Sequence, residues 1–498
     1  MKIEPKNPAK KIRPYALLRP GYRSLGATSS TRGELYAQGP NRCYELLKSL
    51  EDHTVYVSGS LRGLLLTTGA QCWQATTWRG RITSLTLDGT KTKVSSLRAI
   101  ISDTPDPFRA LSVGLEWLSD LGISPGSLSS MAWSLWRSTL SDSLSIAFSP
   151  DIGRAALYGG RQEIREPKTF RHMVSIDITA AYPHAMGSEM AAPYASTLRE
   201  VSKETTIDPE RAGIAQAEVF VDPQSRFAPL PVRIADEIIQ WQTGRISGVW
   251  TWRELDAARK IGAEVKVSRC WAPVREVQPF SEWWRVVLEG RSLVDGGSCI
   301  AKAISSSLWG LFGMVGDDRG DVRWTDDFGD RPVFVGKPPR KMPHAQMAHI
   351  ASETASRVRV RMLLEGLAGP YAPVHIDTDG IIIRKSAPMP ENSGDAPGQW
   401  RLKMKMPKVE IRAPQVYRYE CSNLCGIEHM RYHYVTAGTS KTEAAELFER
   451  VPQTKIAIYG RDVVLPPGYS YDGDETERWS REARSVQAAT FGRPMIGV

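Results

Sequence analysis

The chain has 498 residues, of which 41% are hydrophobic and 24% charged, and its net charge is +9. This length and apolar content allow several hydrophobic cores in about three domains. Prolines and charges near the amino terminus exclude a secretory signal, and no apolar run approaches the roughly 20 residues that span a bilayer, so we expect a soluble intracellular protein. The positive charge suits a polyanionic partner.

Residues 1 to about 150 combine short predicted strands and helices. Thr54–Gly59 is typical of a strand that runs into a turn, and Pro107–Leu121 has the apolar spacing of a helix. The first 25 residues contain seven Lys and Arg residues against a single acid, Glu4. Such a basic arm is either a solvated tail or a segment that follows phosphates or binds a partner.

Two later segments predict buried strands that present carboxylates. The first, Met173–Ile178, delivers Asp177 at its end. The second, Val374–Ile383, carries Asp377 and Asp379 between two apolar runs. Because strand side chains alternate between faces, these two acids project from one side of a hairpin that turns near Asp379. Asp-x-Asp is also an ordinary turn sequence, but three carboxylates on adjacent strands can hold two Mg²⁺ ions for in-line phosphoryl transfer.

Helical and loop patterns surround these strands. On a helix over Ser298–Phe312, Lys302, Ser306 and Trp309 would fall at positions i, i+4 and i+7 and share one face. The remaining predictions are a helix over 347–363 that runs into the hairpin, a loop over 386–398, a strand over 408–411 and a helix near 441–450.

Three of these segments resemble the polymerase motifs of family B DNA polymerases, in the same order. Asp177–Pro183 is similar to the first motif, Asp-x-x-Ser-Leu-Tyr-Pro, and His375–Gly380 is similar to the third, Tyr-x-Asp-Thr-Asp-Ser. Lys302–Gly310 resembles the second, Lys-x-x-x-Asn-Ser-x-Tyr-Gly. The chain departs from the second motif where Ser306 and Trp309 replace the usual Asn and Tyr, and from the third where a Gly replaces the final Ser.

The spacing of the motifs suits the small, protein-primed branch of this family, found in phages and linear plasmids. Lys302 lies 125 residues after Asp177, and Asp377 lies 75 residues after Lys302. Ala156–Arg161 resembles the Tyr-x-Gly-Gly motif that joins the exonuclease and polymerase regions, although Leu157 stands at the Tyr position.

Two segments after the third motif extend the resemblance, which covers roughly residues 150 to 445. Gly398–Trp400 is similar to a Gly-x-Trp segment of the family. Ala413–Tyr417 is similar to its Lys-x-Tyr segment, with Gln415 in the Lys position.

The resemblance implies a right-hand polymerase of mixed α/β (α+β) architecture, with palm, fingers and thumb preceded by a ribonuclease-H-like, exonuclease-type domain. The implied domains are a degenerate exonuclease-like region over 1–150, a palm over 151–410 with the fingers helix inserted at about 280–330, and a palm edge, thumb and carboxy-terminal tail over 411–498.

The resemblance also assigns roles to individual residues. The catalytic carboxylates, which would hold two Mg²⁺ ions that Mn²⁺ can replace, are Asp177, Asp377 and Asp379. The implied nucleotide-binding residues are Lys302, Tyr182, Arg291, Ser306 and Trp309. The implied nucleic-acid-binding residues are Tyr158, Gly159, Gly160, Arg161 and Tyr417. Core packing is the alternative role for the rings of Trp309 and Tyr182.

The function implied is template-directed addition of deoxynucleotides to a 3′-hydroxyl. The implied partners are primer-template DNA, deoxynucleoside triphosphates and a terminal priming protein, with no membrane, in the cytoplasm of a bacterial host of a phage or mobile element. Two alternatives stay open: a polymerase-like nucleic-acid-binding protein that no longer catalyses, and a primase-like or template-independent nucleotidyltransferase.

The amino-terminal region lacks the acids that proofreading needs. No Asp-x-Glu occurs in residues 1 to 150, Ser60–Arg62 stands where an Asn-x-x-x-Phe-Asp segment is expected, and Phe108–Ser112 replaces a Tyr-x-x-x-Asp pair. Because two-metal hydrolysis requires those carboxylates, we expect no exonuclease activity. The alternative is that the true nuclease motifs align elsewhere in this region.

The six cysteines are scattered and do not form the pattern of a disulfide framework. Cys421, Cys425, His429 and His433 are spaced four residues apart, and zinc binding is one interpretation of them. Their intervals are much shorter than the usual separation between ligand pairs in zinc modules, which favours no metal.

Overall fold

The structure is a computed structural model, and the account below concerns the part of the chain that it describes. The described residues are 15–21, 24–38, 40–51, 53–57, 73–78, 81–87, 93–96, 106–141, 151–164, 168–188, 190–225, 227–235, 238–313, 321–324, 332–335, 347–413, 416–420, 432–436, 455–458, 461–464 and 491–492.

Helices and strands both occur throughout these residues, as expected for a mixed α/β protein. The helices are α1 (Pro40–Lys48), α2 (Pro107–Asp120), α3 (Leu128–Thr139), α4 (Asp151–Ala155), α5 (Ala181–Gly187), α6 (Trp252–Lys260), α7 (Ser281–Arg291), α8 (Ser298–Phe312), α9 (Ala348–Arg361) and a π-helix (Met362–Leu367).

The strands are β1 (Tyr15–Gly21), β2 (Ser24–Ser29), β3 (Gly33–Gln38), β4 (Thr54–Val57), β5 (Trp73–Trp78), β6 (Arg81–Leu87), β7 (Lys93–Ser96), β8 (Arg161–Ile164), β9 (Lys168–Ile178), β10 (Tyr194–Ala195), β11 (Leu198–Val201), β12 (Ile214–Val221), β13 (Pro231–Ala235), β14 (Ile238–Trp241), β15 (Gly244–Thr251), β16 (Glu264–Pro273), β17 (Glu276–Val277), β18 (Asp321–Trp324), β19 (Pro332–Val335), β20 (His375–Thr378), β21 (Gly380–Arg384), β22 (Trp400–Ala413), β23 (Val416–Glu420), β24 (Tyr432–Thr436), β25 (Lys455–Ile458), β26 (Arg461–Val464) and β27 (Phe491–Gly492).

The chain forms two compact units, each built from segments that are distant in sequence. The first unit contains Met1–Ser143 and Pro279–Gln346, and the second contains Leu144–Gln278 and Met347–Val498. The segment predicted to hold the fingers therefore clusters with the amino-terminal region.

The first unit contains a sheet with the order β19-β18-β5-β6-β7-β4-β1-β2-β3. Within it, β1, β2 and β3 are antiparallel neighbours, and β4 and β7 run parallel to β1. The order β3-β2-β1-β4-β7 with these directions is the arrangement of ribonuclease-H-like domains. The strand predicted from Thr54 and the helix predicted from Pro107 are confirmed as β4 and α2.

Helix α8 packs against α2, α3 and α7 in the same unit. Its apolar stripe is buried, and Phe312 lies in an aromatic cluster with ring centroids 4.9 Å from Trp136 and 5.6 Å from Phe280. Lys302 and Ser306 are exposed on the opposite side, and Trp309 is half-buried beside them. The prediction that these three residues share one face of the helix is confirmed.

The second unit contains an antiparallel sheet with the order β24-β23-β22-β9-β21-β20-β8. A four-stranded antiparallel sheet, β11-β16-β12-β15, packs around Trp250 and Trp252 in a separate core. Helix α9 contacts α4, α5 and α6 and is buried along nearly its whole length. Because it is buried on all sides, its charged residues must be paired within the protein.

The ion pairs of α9 meet this requirement. Arg359 pairs with Glu254 at 2.7 Å, and Arg357 pairs with Glu353 at 3.0 Å, with all four side chains almost fully buried. Arg359 also donates to the carbonyls of Tyr158 and Gly159, so α9 is tied to the segment that precedes β8.

The remaining predictions have mixed outcomes. The loop over 386–398 is confirmed, and the strand over 408–411 is part of β22. Cys421, Cys425, His429 and the helix predicted near 441–450 lie outside the described residues, as does Gln415, whereas His433 lies in β24. None of the helices in the described ranges combines the length and apolar character needed to cross a membrane.

Candidate active site

The hairpin of β20 and β21 positions two of the three predicted carboxylates. Asp377 is paired with Gly380 across the hairpin, and Asp379 lies in the turn, where its N–H donates to the Asp377 carbonyl at 2.7 Å. Thr378 between them has a φ of 61°, a conformation that non-glycine residues adopt only under constraint. The turn predicted near Asp379 is confirmed.

The neighbouring strand β9 supplies the third carboxylate. Asp177 is paired with Gly380, and the N–H of the next residue, Ile178, donates to the Asp379 carbonyl at 2.9 Å. A β-carbon on Gly380 would lie 3.1 Å from the Ile176 carbonyl oxygen and 3.3 Å from the β-carbon of Asp177. This closeness leaves little room for a side chain at Gly380, where the resembled motif has Ser.

The three carboxylates line one cleft of about 300 Å³. Burial, followed by the negative charges of Asp177 and Asp377, raises the pKa of Asp379 to about 7. A bound cation would offset the part of this shift that comes from the two neighbouring carboxylates. Ser175, Ile382, Lys403 and Tyr417 are among the other residues of the cleft wall.

Two basic side chains from β22 contact Asp177. Arg401 Nε lies 2.8 Å from Asp177 Oδ1, and Lys403 Nζ lies 3.3 Å from Oδ2. Neither residue was predicted, because the contacts span more than 220 positions. The local signal was three basic residues at alternate positions after Trp400, of which Arg401 and Lys403 are the first two. Within the described ranges, no group of three or more acidic, His or Cys side chains is arranged to hold a metal ion as it stands.

His375 and Tyr417 form part of the cleft wall. Their rings meet edge to face with centroids 5.0 Å apart. Burial lowers the pKa of His375 to about 4, so this imidazole is neutral at pH 7. Tyr417 is half-buried, and its assignment to DNA binding stays a prediction.

Tyr182 follows the first motif and is buried in α5. The chain enters this helix through Ala180, which has a left-handed φ of 51°. Burial and the negative charge of Asp379 raise the pKa of Tyr182, which places its hydroxyl within the electrostatic field of the carboxylates. Its role beneath the sugar of the nucleotide stays a prediction.

The segment before β8 differs in part from its prediction as a DNA contact. Gly159 is exposed and Gly160 half-buried, but Tyr158 is in the core against Trp250. Arg161 is also buried, and its guanidinium contacts Glu163 at 2.6 Å and the Ala228 carbonyl. These two side chains are enclosed by protein, and the assignment of this segment to DNA binding stays a prediction.

The predicted nucleotide-binding residues other than Tyr182 lie in the first unit. Lys302, Ser306 and Trp309 share the outward face of α8, and Arg291 is the last residue of α7. Lys302 is exposed, which agrees with a role in binding an anion rather than in the core.

Comparison with known proteins finds a family match over part of the chain. Residues 127–326 match the family model described as DNA polymerase type B, organellar and viral. No curated protein sequence is similar enough to the chain to match it.

Among solved structures, an orthorhombic crystal form of phi29 DNA polymerase is similar with a TM-score of 0.65 and 10% identity, over 91% of this chain and 99% of that chain. The complex of phi29 DNA polymerase with primer-template DNA has a TM-score of 0.62 and 11% identity, over 88% and 94%. Its complex with primer-template DNA and incoming nucleotides has a TM-score of 0.61 and 9% identity, over 88% and 95%. Residues 127–326 are therefore similar to type B DNA polymerases, and the chain shares its fold with phi29 DNA polymerase.

Proposed function

We propose that the cleft beside Asp177, Asp377 and Asp379 catalyses template-directed addition of deoxynucleotides to the 3′-hydroxyl of a DNA primer. In this reaction the 3′ oxygen forms a bond to the α-phosphorus of the incoming nucleotide, the bond to the β-phosphate breaks, and pyrophosphate leaves. The observation that carries the proposal is the pairing of Gly380 with both Asp177 and Asp377, which holds the acids of two motifs in one cleft.

The donor set of the cleft fits divalent cations such as Mg²⁺ or Mn²⁺. Carboxylate oxygens are the preferred ligands of these ions, and Asp177, Asp377 and Asp379 line the same cleft. Cations bound there would activate the attacking oxygen and stabilise the leaving phosphate. The protein supplies the rigid hairpin that holds the carboxylates and, in the proposal, the exposed Lys302 that neutralises the triphosphate.

The test is primer extension with Mg²⁺, deoxynucleotides and a primed template. We expect Asp177→Asn and Asp377→Asn to abolish extension while DNA binding stays near that of the wild type, because affinity comes mainly from Lys and Arg contacts to phosphates. Asp222→Asn, at an exposed aspartate of the same unit, is the matched control and should extend normally. Extension by Asp377→Asn at the wild-type rate would contradict the proposed site.

Lys302 is tested by its nucleotide dependence. Lys302→Ala should keep some turnover but need about tenfold more nucleotide, because the variant lacks the ammonium group proposed to contact the triphosphate. Unchanged apparent affinity and unchanged turnover would remove Lys302 from the proposed site.

The choice of nucleic acid substrate separates this proposal from a priming or template-independent enzyme. We expect extension of a primed template and little product from an unprimed template or a bare primer. Primer-template DNA and deoxynucleoside triphosphates are thus the proposed partners, a terminal priming protein is a further one, and the host cytoplasm is the proposed location. A terminal protein would be revealed by nucleotide-dependent labelling of a protein hydroxyl.

A further inference from the structure

A β-bulge next to the proposed catalytic cleft brings two basic side chains onto one carboxylate. In the pairing of β22 with β9, Arg401 is opposite Asp177, and the register shifts between Leu402 and Met404. Lys403 is therefore an extra residue in β22, without a partner position in β9. Bulges next to active sites commonly redirect a side chain, and this one lets Lys403 reach Asp177 while Met404 stays opposite Ser175.

These contacts use both oxygens of the Asp177 carboxylate. Arg401 donates through Nε to Oδ1 at 2.8 Å and through Nη2 to Oδ2 at 3.4 Å, and Lys403 Nζ contacts Oδ2 at 3.3 Å. The Asp177 side chain is 11% exposed, whereas those of Arg401 and Lys403 are 44% and 56% exposed. The two cations thus lie on the solvent side of the carboxylate and can move away without opening the core.

A divalent cation and this basic pair compete for the same oxygens. Like charges close together repel, and a carboxylate that already accepts a guanidinium and an ammonium has few lone pairs left for a metal ion. Ion pairs this exposed are individually weak, so a divalent cation can displace them, at a cost in its own affinity.

We propose that Arg401 and Lys403 are a built-in counter-ion for Asp177 that a divalent cation must displace, and that the pair thereby sets the cation affinity of the free protein. This inference rests on the proposed function, because it takes Asp177 as a cation ligand. Arg401 and Lys403 are positioning residues in this scheme: in the absence of the cation they hold the Asp177 side chain in the cleft.

The test measures Mn²⁺ binding directly, by electron paramagnetic resonance of the free ion, with neither DNA nor nucleotide present. Lys403→Met and Arg401→Met should each bind Mn²⁺ about three- to tenfold more tightly than the wild type. Lys403→Arg, which keeps the charge, should stay near the wild type. Lys405→Met is the matched control, since Lys405 is exposed on the same strand opposite Val174, and its affinity should not change.

A thermal melt in the presence of a chelator provides a second readout. Loss of either counter-ion should lower the melting temperature without metal and enlarge the stabilisation that Mn²⁺ produces. If Lys403→Met and Arg401→Met both bind Mn²⁺ like the wild type, the inference is overturned.

Asp377→Asn separates this inference from the function on which it rests. If that variant loses Mn²⁺ binding while the β22 variants match the wild type, the carboxylate site stands and the counter-ion role fails. If Asp377→Asn binds Mn²⁺ normally, the proposed metal site itself fails, and the counter-ion role fails with it.

Discussion

Gly160 lies so close to Thr378 that a β-carbon on the glycine would stand 2.6 Å from Cγ2 of the threonine. The same β-carbon would be 3.0 Å from the hydroxyl of Tyr182. Gly160 therefore touches both the turn between Asp377 and Asp379 and the residue proposed to lie beneath the nucleotide sugar. The glycine is required here because any side chain would push on one of these two neighbours.

The first prediction is that Gly160→Ala slows primer extension about tenfold or more, because small displacements of reacting groups are costly. Overpacking should also destabilise the second unit by about 1–3 kcal/mol. Primer extension and thermal melts check both effects. Gly366→Ala is the matched control, since the nearest atom to a β-carbon there, on the Trp400 ring, lies 3.6 Å away, an ordinary contact distance. Equal activity of the two variants would contradict the proposed crowding.

The second prediction concerns sugar selection by Tyr182. If its ring crowds a 2′-hydroxyl, Tyr182→Ala should incorporate ribonucleotides more readily relative to deoxynucleotides, whereas Tyr182→Phe should keep the discrimination. Competing incorporation on one template measures the ratio. If Tyr182 serves only the core in which it is buried, both activities and the melting temperature of Tyr182→Ala should fall together.

The third prediction is that the protein has no 3′→5′ exonuclease activity. The central strand β1 of the ribonuclease-H-like sheet reads Tyr-Ala-Leu-Leu-Arg-Pro-Gly and carries no carboxylate to hold a catalytic metal. A mismatched, end-labelled primer should stay full length with Mg²⁺ and no nucleotides. Shortening that persists in Asp377→Asn would show that nuclease acids lie elsewhere in the chain.

The fourth prediction is a loss of stability in mild acid caused by His349. Burial lowers the pKa of His349 to about 4 from an ordinary 6.5, and the ring Nε2 donates to the Ala195 carbonyl at 3.0 Å. Between these two values the unfolded chain binds a proton that the folded protein excludes, so stability falls as the pH drops through about 6.5 toward 4.

Protonation of His349 should lower the free energy of unfolding by about 2 kcal/mol between pH 7 and pH 5. His349→Gln keeps a donor for the Ala195 carbonyl but does not titrate. Between pH 7 and pH 5 the free energy of unfolding of this variant should therefore fall by about 2 kcal/mol less than that of the wild type. Denaturant titrations at both pH values measure the difference, and parallel curves for the two proteins would refute the assignment.

The fifth prediction concerns the buried pair of Arg359 and Glu254. Arg359→Met should lower the free energy of unfolding by about 3–5 kcal/mol, because the Glu254 carboxylate is left buried without its counter-ion. The double variant Arg359→Met/Glu254→Met should recover part of that loss. Arg245→Met removes the exposed ion pair with Glu218 and should lower the free energy of unfolding by less than about 1 kcal/mol. Equal losses for the two single variants would contradict the role assigned to burial.

Features whose cause lies within a few residues were predictable from sequence. The hairpin around Asp379 follows from two apolar runs and a turn. The helix α8 was implied by the resemblance, and the face that it shares with Lys302 follows from the spacing of the residues. The three-motif resemblance then indicated that Asp177 lies near the hairpin. The sheet confirms this, with β9 directly beside β21.

The side-chain contacts that the sequence did not predict join residues that are far apart along the chain. The Ala228 carbonyl that accepts from Arg161 lies 67 positions later, and Glu254, which pairs with Arg359, lies 105 positions earlier. The contacts of Arg401 and Lys403 with Asp177 likewise depend on the register of β22 and its bulge, which a strand pattern alone does not specify.

The division of each compact unit between two sequence segments has a consequence during synthesis on the ribosome. Helices α2 and α3 emerge early, but α8, which covers their apolar faces, ends at Phe312. About 170 residues must be translated after α3 before this core can close, so its apolar surface stays open to solvent and chaperones meanwhile. A chain truncated after Ser143 would carry that exposed surface permanently and would be expected to aggregate.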